Sequence, residues 1–459
     1  MPVRMTAARS LPPELLDHLR SLLPEPGAFV VGDDPAETAE LGRALNAGDA
    51  VAGTGFAAAV LLLGEDGAAL PARLEHLRRL LADKARLLVV RRGAVPTPQE
   101  LTAGLSEAGF VILKSGPMGT VVEARKEAFF VRAYREGDEE QILTLFRRSF
   151  AVERSLARWR WEYEENPFGS TKISQAFTDD GRLVAHYAGY PVRFHSTVRG
   201  EPQTLPALQV GDTMTEPSVR HVGRGPTSLL GRTVRHYYAR HCEGQVAFNY
   251  GVNTGNIQRF SMSFVGARRL EALPYHVRAT TAPVPALRPW QARLAGYRVE
   301  RITHFDPRWD ELFHRVSGAY RLLVERGSRY LEWRYARCPD SEYSLWAVFR
   351  RGRLTGWSVF RQRGERLAWG DALFDPHDPA ALPLLLARVL AAPEHRNATV
   401  VETWATSRPA WWSERVRALG FESRPEPQEL GFVFVPFAID PEADFRAHLY
   451  YTMGDSDLF

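Results

Sequence analysis

A strand-like run, Leu205–Met214, leads into Thr215-Glu216-Pro217-Ser218-Val219-Arg220-His221-Val222-Gly223-Arg224-Gly225-Pro226-Thr227-Ser228, and a helical pattern follows to about Arg240. An R-x-x-G-x-G turn between a strand and a helix suits an anion such as a pyrophosphate. Main-chain N–H groups at a helix start, with the positive end of the helix dipole behind them, bind negative charge. Gly223 and Gly225 let the backbone approach closely and take positive φ. Arg220 and Arg224 add charge, whereas Pro226 has no N–H to donate. Asp212 interrupts the apolar strand, and a carboxylate there must face a cavity or find partners. Beyond a short strand, Gln245–Phe248, stand Asn253-Thr254-Gly255-Asn256, which either cap the next helix or hydrogen-bond a ligand amide.

These residues sit in a chain that repeats itself. Trp161-Glu-Tyr163-Glu-Glu-Asn-Pro167 and Trp333-Arg-Tyr335-Ala-Arg-Cys-Pro339 share W-x-Y-x-x-x-P at a separation of 172 positions, and Gly181-Arg-Leu183 and Gly352-Arg-Leu354 follow at nearly the same offset. Upstream, runs beginning at Val131 and Val299 read as strands, each followed by an amphipathic helical pattern, Glu139–Phe150 and Trp309–Val316. Two copies of one fold are therefore expected over 127–270 and 298–438. The proline-rich 271–297 reads as a linker and 439–459 as a tail. Residues 1–126 alternate short apolar strands with helical patterns such as Leu74–Leu81 and Pro98–Ala108, which predicts a small α/β layer with a largely parallel sheet.

Composition narrows the function classes. The chain has 459 residues, 45% hydrophobic and 24% charged, as ordinary globular proteins do. The formal charge is only +4, carried by arginine with just four lysines. No run of five or six basic residues points to nucleic acid, whereas modest basicity suits a small polyanionic ligand. Cys242 and Cys338 are too few for a disulfide framework and lack metal-ligand spacing, so no metal and a reducing cytoplasm are expected. The longest apolar run, Phe56–Leu63, falls well short of a bilayer span, so no membrane is expected.

The strand, turn and helix around Gly223 resemble the acyl-CoA-binding motif of the GCN5-related N-acetyltransferases (GNATs), and the order of elements over 127–270 is similar to that family's. The resemblance implies acetyl-CoA or another acyl-CoA as cofactor and a small amine, such as an amino sugar or amino acid, as acceptor. It implies that Arg220, Val222, Gly223, Arg224, Gly225 and Thr227 cradle the pyrophosphate, that Met214 and Thr215 line the cofactor along the motif strand, and that Asn253 and Asn256 orient the pantetheine amide or the substrate. An N–H on that strand polarises the thioester carbonyl. The base that takes the acceptor's proton falls first to Asp212, then to Tyr250 or Glu216. The helix Ile257–Phe264 has no tyrosine to protonate the leaving thiolate, a thiol whose pKa of about 8.5 lets it leave unassisted. His186 and His195, and the aromatic group Trp159, Trp161 and Tyr163, read more readily as packed residues than as a base or an acceptor wall.

The second copy lacks the turn. Its equivalent, Leu373-Phe-Asp375-Pro-His-Asp378, has no glycine and two carboxylates that would repel a pyrophosphate. The N-terminal segment resembles a shortened class I methyltransferase domain whose cofactor turn would fall at Gly32-Asp33-Asp34-Pro35, without the repeated glycines. The expected fold class is thus α/β (α+β): two GNAT-like mixed-sheet domains in tandem after a small Rossmann-like α/β domain. Two other readings fit the same residues. One is a non-catalytic coenzyme A-binding or scaffold protein built from decayed domains. The other keeps coenzyme A and changes the chemistry, as in acyl transfer to a carrier thiol.

Overall fold

The computed structural model describes residues 28–31, 56–63, 70–91, 96–116 and 121–459, with residues 19, 38, 39, 41 and 43 besides. Gly32-Asp33-Asp34-Pro35 lies outside the described residues, as does the side chain of Asn256. The chain divides into two compact units. One takes residues up to Leu145 with Ser174–His186 and Met214–Val222; the other takes Phe146–Ile173, Tyr187–Thr213 and Gly223–Phe459.

The first unit holds β1 Ala28–Val31, β2 Phe56–Leu63, β3 Leu81–Arg91, β4 Phe110–Ser115, β5 Val121–Lys126, β6 Phe129–Ala133 and most of β7 Lys172–Thr178. Its helices are α1 Leu70–Leu80, α2 Pro98–Glu107 and the start of α3 Glu139–Phe150. Strands β1, β2 and β3 are parallel, and β5 runs antiparallel between β3 and β4. The apolar run of β2 is unbroken because the strand is buried on both faces. Ala59, Leu61 and Leu63 pack with Leu74, Leu77, Leu101 and Leu105, while Val60 and Leu62 pack with Leu19 and Leu41. Helix α2 starts sharply: Thr97 and Glu100 form a reciprocal cap, with Pro98 at the first position.

One polar cluster ties this unit together. Lys126, 2% exposed, pairs with Asp179 at 2.7 Å and donates to the Leu81 carbonyl. The Arg78 guanidinium reaches the same carboxylate at 3.1 Å and lies over the Phe130 ring. Burial, the largest effect on Arg78, lowers its pKa, and Asp179 opposes the shift. Replacing Asp179 with alanine strands two buried cations. Because Asp179 itself is 36% exposed, water shares the load. A loss of about 1–3 kcal/mol is expected in urea unfolding followed by far-UV circular dichroism.

The second unit holds α4 Leu156–Tyr163, most of β8 Leu183–Ser196 and β9 Gln203–Thr215, α5 Leu229–His241, β10 Phe248–Asn253, α6 Gly255–Phe264, β11 Arg268–Ala272 and β12 Tyr275–Ala279. Next come α7 Pro289–Leu294, β13 Tyr297–Ile302, α8 Pro307–Tyr320, β14 Leu322–Val324 and α9 Ser328–Leu331, which continues into a wider-wound turn over Glu332–Ala336. The chain then forms β15 Ser344–Arg350, β16 Arg353–Arg363, β17 Arg366–Phe374, α10 Ala381–Leu390, β18 Val400–Trp404, α11 Ala410–Ala418, β19 Glu422–Ser423 and β20 Gly431–Pro436.

Two mixed sheets share this unit. In one the strand order is β11-β20-β10-β9-β8, with β9 and β10 parallel; in the other it is β13-β15-β16-β17-β18-β12-β19, with β17 and β18 parallel. The sheets exchange strands. Strand β20 closes the second repeat in sequence yet runs antiparallel beside β10, Phe248 opposite Pro436 and Asn253 opposite Gly431. Strand β12 lies in the stretch expected to be a linker, yet it runs antiparallel beside β18. The proline spacing of 271–297 therefore marks the ends of two short elements, β12 and α7, and not an unstructured strap. Residues 439–459, read as a tail, contribute Phe445, Tyr450, Tyr451 and Phe459 to the main core.

Candidate active site

The parallel pairing of β9 and β10 is brief. It runs from Phe248 opposite Ala207 to Tyr250 opposite Gln209 and stops there. Gly251 still lies close to β9, since a Cβ on it would come 2.9 Å from the Val210 carbonyl oxygen. Beyond this point both strands continue without pairing to each other. A small cleft lies here, lined by Val210, Tyr250, Gly251, Asn253 and Ser261.

The glycine turn follows β9. Gly223 and Gly225 have φ of +71° and +50°. A Cβ on Gly223 would overlap the Thr227 carbonyl, and one on Gly225 would press on the Phe264 ring at 2.9 Å. Both glycines are therefore required by geometry. The helix does not begin where the sequence places it. Gly225–Thr227 forms a 3₁₀ turn, and Ser228 caps α5 by accepting from the Gly231 amide at 3.1 Å. The Thr227 and Ser228 amides are used inside the turn, donating to the Arg224 and Gly225 carbonyls, and the Arg224 amide reaches the Thr227 hydroxyl. The amides of Gly223, Gly225, Leu229 and Leu230 have no acceptor among the described residues. Arg224 and Thr227 are exposed.

Asp212 is held firmly. It lies 7% exposed at φ +49°, directly after Gly211. Its carboxylate forms an ion pair with Arg154 and accepts from the Tyr163 hydroxyl at 2.9 Å. Glu162 sits 3.6 Å from the same guanidinium. Burial pushes the Glu162 carboxyl up, with Asp212 adding to it and Arg154 opposing. Burial works against charge on Arg154, but Asp212 and Glu162 outweigh it and raise its pKa. The expectation that Asp212 is a free base meets an obstacle: one of its oxygens, Oδ2, already serves both a cation and a phenol.

The other base candidates are placed as follows. Tyr250 is 1% exposed, stacked on Phe432 at 5.4 Å, and its hydroxyl has no partner among the described residues. Burial raises its pKa well above the ordinary value. A phenol in that state keeps its proton at neutral pH, which counts against Tyr250 as the base. Glu216, half-buried, donates its amide to Val184 in the first unit. Met214, Thr215, Arg220 and Val222 also belong to the first unit, where the Arg220 side chain donates to the Thr215 carbonyl at 3.2 Å. Asn253 ends β10, and Thr254 precedes α6. On α6, Phe260 packs against Phe264 at 5.6 Å. His195 meets the Phe313 ring edge-on, and burial lowers its pKa; His186 is buried. Trp159, Trp161 and Tyr163 are core residues.

The constellation around Asp212 has a twin. In the second sheet, Arg326 pairs with Asp371 at 3.0 Å, and Tyr335 donates to Asp371 at 2.7 Å. Arg154 and Arg326, like Tyr163 and Tyr335, stand 172 positions apart, and each aspartate follows a glycine, Gly211 or Gly370. Between the copies Trp161 and Trp333 stack at 4.9 Å, and each indole N–H donates to the other's main-chain carbonyl, at 2.7 and 2.8 Å. Neither arginine was singled out from sequence. The signal was present: Val152-Glu-Arg154 and Val324-Glu-Arg326 repeat at the shift that relates the tryptophans. A cleft of about 540 Å³ opens nearby, lined in part by Glu164, Glu165, Arg329, Glu332 and Arg337.

Residues 130–263 match the family model described as acetyltransferase (GNAT) domain. Among solved structures, the chain is similar to a conserved protein of unknown function from Enterococcus faecalis V583 described as a probable N-acyltransferase. The identity is 12%, over 68% of this chain and 73% of that one, with a TM-score of 0.50. It is similar too to a GCN5-related N-acetyltransferase from Kribbella flavida, at 15% identity over 68% of this chain and 71% of that one with a TM-score of 0.49. Another from Anabaena variabilis ATCC 29413 matches at 12% identity over 67% and 72%, with a TM-score of 0.48. No curated protein sequence matches the chain. At these identities the structural likeness speaks to the fold alone, a mixed α/β fold. No described helix is long and apolar enough to cross a membrane.

Proposed function

We propose that the chain is an acyl-CoA-dependent N-acyltransferase that moves an acetyl or related acyl group to a small amine, with one site in the GNAT-matched stretch. The observation that carries this reading is the end of β9–β10 pairing in the same stretch as a turn whose two glycines are fixed at positive φ. The residues fit a coenzyme A diphosphate. Gly223 and Gly225 offer amides with no acceptor of their own among the described residues, Leu229 and Leu230 add two more at the positive end of α5, and Arg224 and Thr227 are open to solvent. Bound there, an acyl-CoA would supply an activated thioester carbonyl. Asn253 would meet its amides from the end of β10.

Asp212 is better suited to holding Arg154 and Tyr163 than to moving a proton, because the same Arg–Tyr–Asp set recurs in a sheet without a glycine turn. We read that second sheet as a degenerate copy. Asp375 caps its own loop by accepting from the His377 amide at 2.9 Å and pairs with Arg315 at 3.2 Å. Its carboxylates thus take over the loop that would have to hold phosphate. The first 126 residues, with two acids where a methyltransferase would need glycines, fit a docking or scaffold role. The 540 Å³ cleft sets the carboxylates Glu164, Glu165 and Glu332 beside the guanidinium groups of Arg329 and Arg337, the latter 3.5 Å from Glu332, and such a mixed lining suits a zwitterion, which favours an amino acid among the small amines.

Calorimetric titration with acetyl-CoA tests the reading. Parent protein is expected to bind, and Arg224→Glu, a charge reversal at an exposed position, is expected to weaken binding at least tenfold, about 1.4 kcal/mol. Absence of binding by the parent overturns the acyltransferase reading.

A further inference from the structure

We propose that Asp457 is the proton acceptor for the amine, placed over the motif strand by the last residues of the chain; the proposal rests on the acyltransferase reading above. The segment 453–459 reaches both halves of the repeat at equivalent points. On the degenerate side, a Cβ at Gly370 would overlap the Phe459 ring, so an aromatic plug covers that strand. Tyr343 packs on the same ring at 5.3 Å and donates to the Phe459 main-chain oxygen at 2.9 Å. On the side that bears the glycine turn, the position over Gly211 is taken by a carboxylate. A Cβ there would stand 3.1 Å from Asp457 Oδ2. The pseudo-symmetric copies thus differ at one point, a phenyl ring over the strand without a glycine turn and an ionisable oxygen over the strand with one.

The segment is pinned on either side of Asp457. Arg334 donates to the Ser456 carbonyl at 2.9 Å, and Arg326 pairs with Asp455 at 2.6 Å. Asp457 Oδ1 is buried and has no hydrogen-bond partner among the described residues. It is the one carboxylate of this cluster without a cation of its own: Asp212 and Glu162 share Arg154. The groups facing it are Glu162 on α4, Asp212 on β9, Arg154 ahead of α4 and Tyr190 on β8. Burial first, then the charges of Glu162 and Asp212, push its carboxyl up to about 7, with its own main-chain N–H and then Arg154 opposing. A group so poised takes and releases a proton readily at neutral pH.

The balance is complete. The ammonium of the acceptor gives one proton to an Asp457 oxygen and becomes a neutral amine. The amine nitrogen forms a bond to the acyl carbon as the carbon–sulfur bond breaks. The nitrogen's second proton ends on the departing thiolate, and Asp457 returns the first to solvent. No oxidant, reductant or metal enters.

Asp457→Asn tests the proposal on the full chain, with Asp457→Ser as a second variant should the first unfold. The turnover readout is acetyl transfer from acetyl-CoA to a panel of amino sugars and amino acids. A fall in kcat of at least about 100-fold is expected, with acetyl-CoA affinity in calorimetry changed less than twofold. The acid limb of the parent pH profile, centred near 7, is expected to vanish in the variant. A second readout needs no cofactor. An acid whose folded pKa lies above its unfolded value, about 3.9, binds more protons in the folded state between those two values. The contribution of Asp457 to parent stability should therefore fall as pH rises from about 4 to 7, and the difference from Asp457→Asn should change over that window in this direction and level off above it. A variant that keeps both the rate and the acid limb while acetyl-CoA still binds overturns this proposal alone. Parent protein that binds no acetyl-CoA overturns the acyltransferase reading and the proposal with it.

Discussion

Replacing Arg326 with leucine is expected to destabilise the second unit by about 3–5 kcal/mol at pH 7, measured as a shift of the urea midpoint with tryptophan fluorescence as probe. Arg326 is fully buried and holds two carboxylates, Asp371 at 3.0 Å and Asp455 at 2.6 Å, while Thr452 bridges both. Burial opposes charge on the guanidinium, but the two aspartates outweigh it, and Arg326 stays protonated. Without it, two carboxylates remain in a dry site, and each must be ionised at high cost or take a proton. Asp455 already has its pKa raised, by burial first and by Asp371 next, with Arg326 the main force against the shift. Removing Arg326 raises it further. An acid raised in the folded state gives stability that is present at low pH and lost as pH rises through the folded pKa. The defect should therefore be largest at neutral and alkaline pH and shrink toward pH 4. A triple variant, Arg326→Leu with Asp371→Leu and Asp455→Leu, should recover much of the loss, since an apolar replacement of a whole buried ion network is often neutral. A leucine variant with unchanged midpoint at pH 8 would show that the network carries no net stability.

The same network shows what could be read from the sequence and what could not. The duplication was legible because it is written in rigid aromatic residues: Trp161 and Trp333 with Tyr163 and Tyr335 at matching spacing. The glycine turn was legible because Gly223 has no alternative at φ +71°. The start of α5 was not, because Ser228, three residues past Gly225, competes as a cap and adds a 3₁₀ turn before the helix. Asp212 was legible as an oddity in an apolar strand, but its role was not. A lone carboxylate in sequence says only that something must meet it, and what meets it here, Arg154, comes from a loop 58 positions away. The domain boundaries were the least legible part. Sequence reading assigns each strand to the repeat it adjoins, because neighbouring elements usually pack together. Here β12 and β20 are exchanged between sheets, and the apolar pattern Gly431-Phe-Val-Phe-Val-Pro436 looks the same whichever sheet it joins. Asp457 carried no motif at all; its meaning comes from the opposite residue, Gly211, which only the fold brings near.

The strand exchange and the twin Arg–Tyr–Asp sets place the largest structural burden on the contact between the repeats, and Trp161→Ala or Trp333→Ala is expected to cost about 3–5 kcal/mol each in denaturant unfolding. The two indoles are 3% and 5% exposed, stacked at an interplanar angle of 17°, and joined by two reciprocal hydrogen bonds. Truncating either one leaves a cavity, removes its N–H bond to the partner's carbonyl, and strands a buried carbonyl that had accepted from the lost ring. Each variant therefore destroys the same contact, and the double variant should cost less than the sum of the single ones by about 1–3 kcal/mol, the signature of a shared interaction in a double-mutant cycle. Phenylalanine separates the two components. Trp161→Phe keeps an aromatic face against Trp333 and loses the hydrogen bond, so about 1–2 kcal/mol of the defect should remain. Consequences should reach further than stability. Tyr163 follows Trp161 by two residues and donates to Asp212, while Tyr335 follows Trp333 by two and donates to Asp371. A shift of either indole moves a phenol that steadies a motif-strand aspartate. Strict additivity of the two alanine variants would mean that the stacked pair does not act as one contact, and the two halves would then be joined chiefly by their exchanged strands.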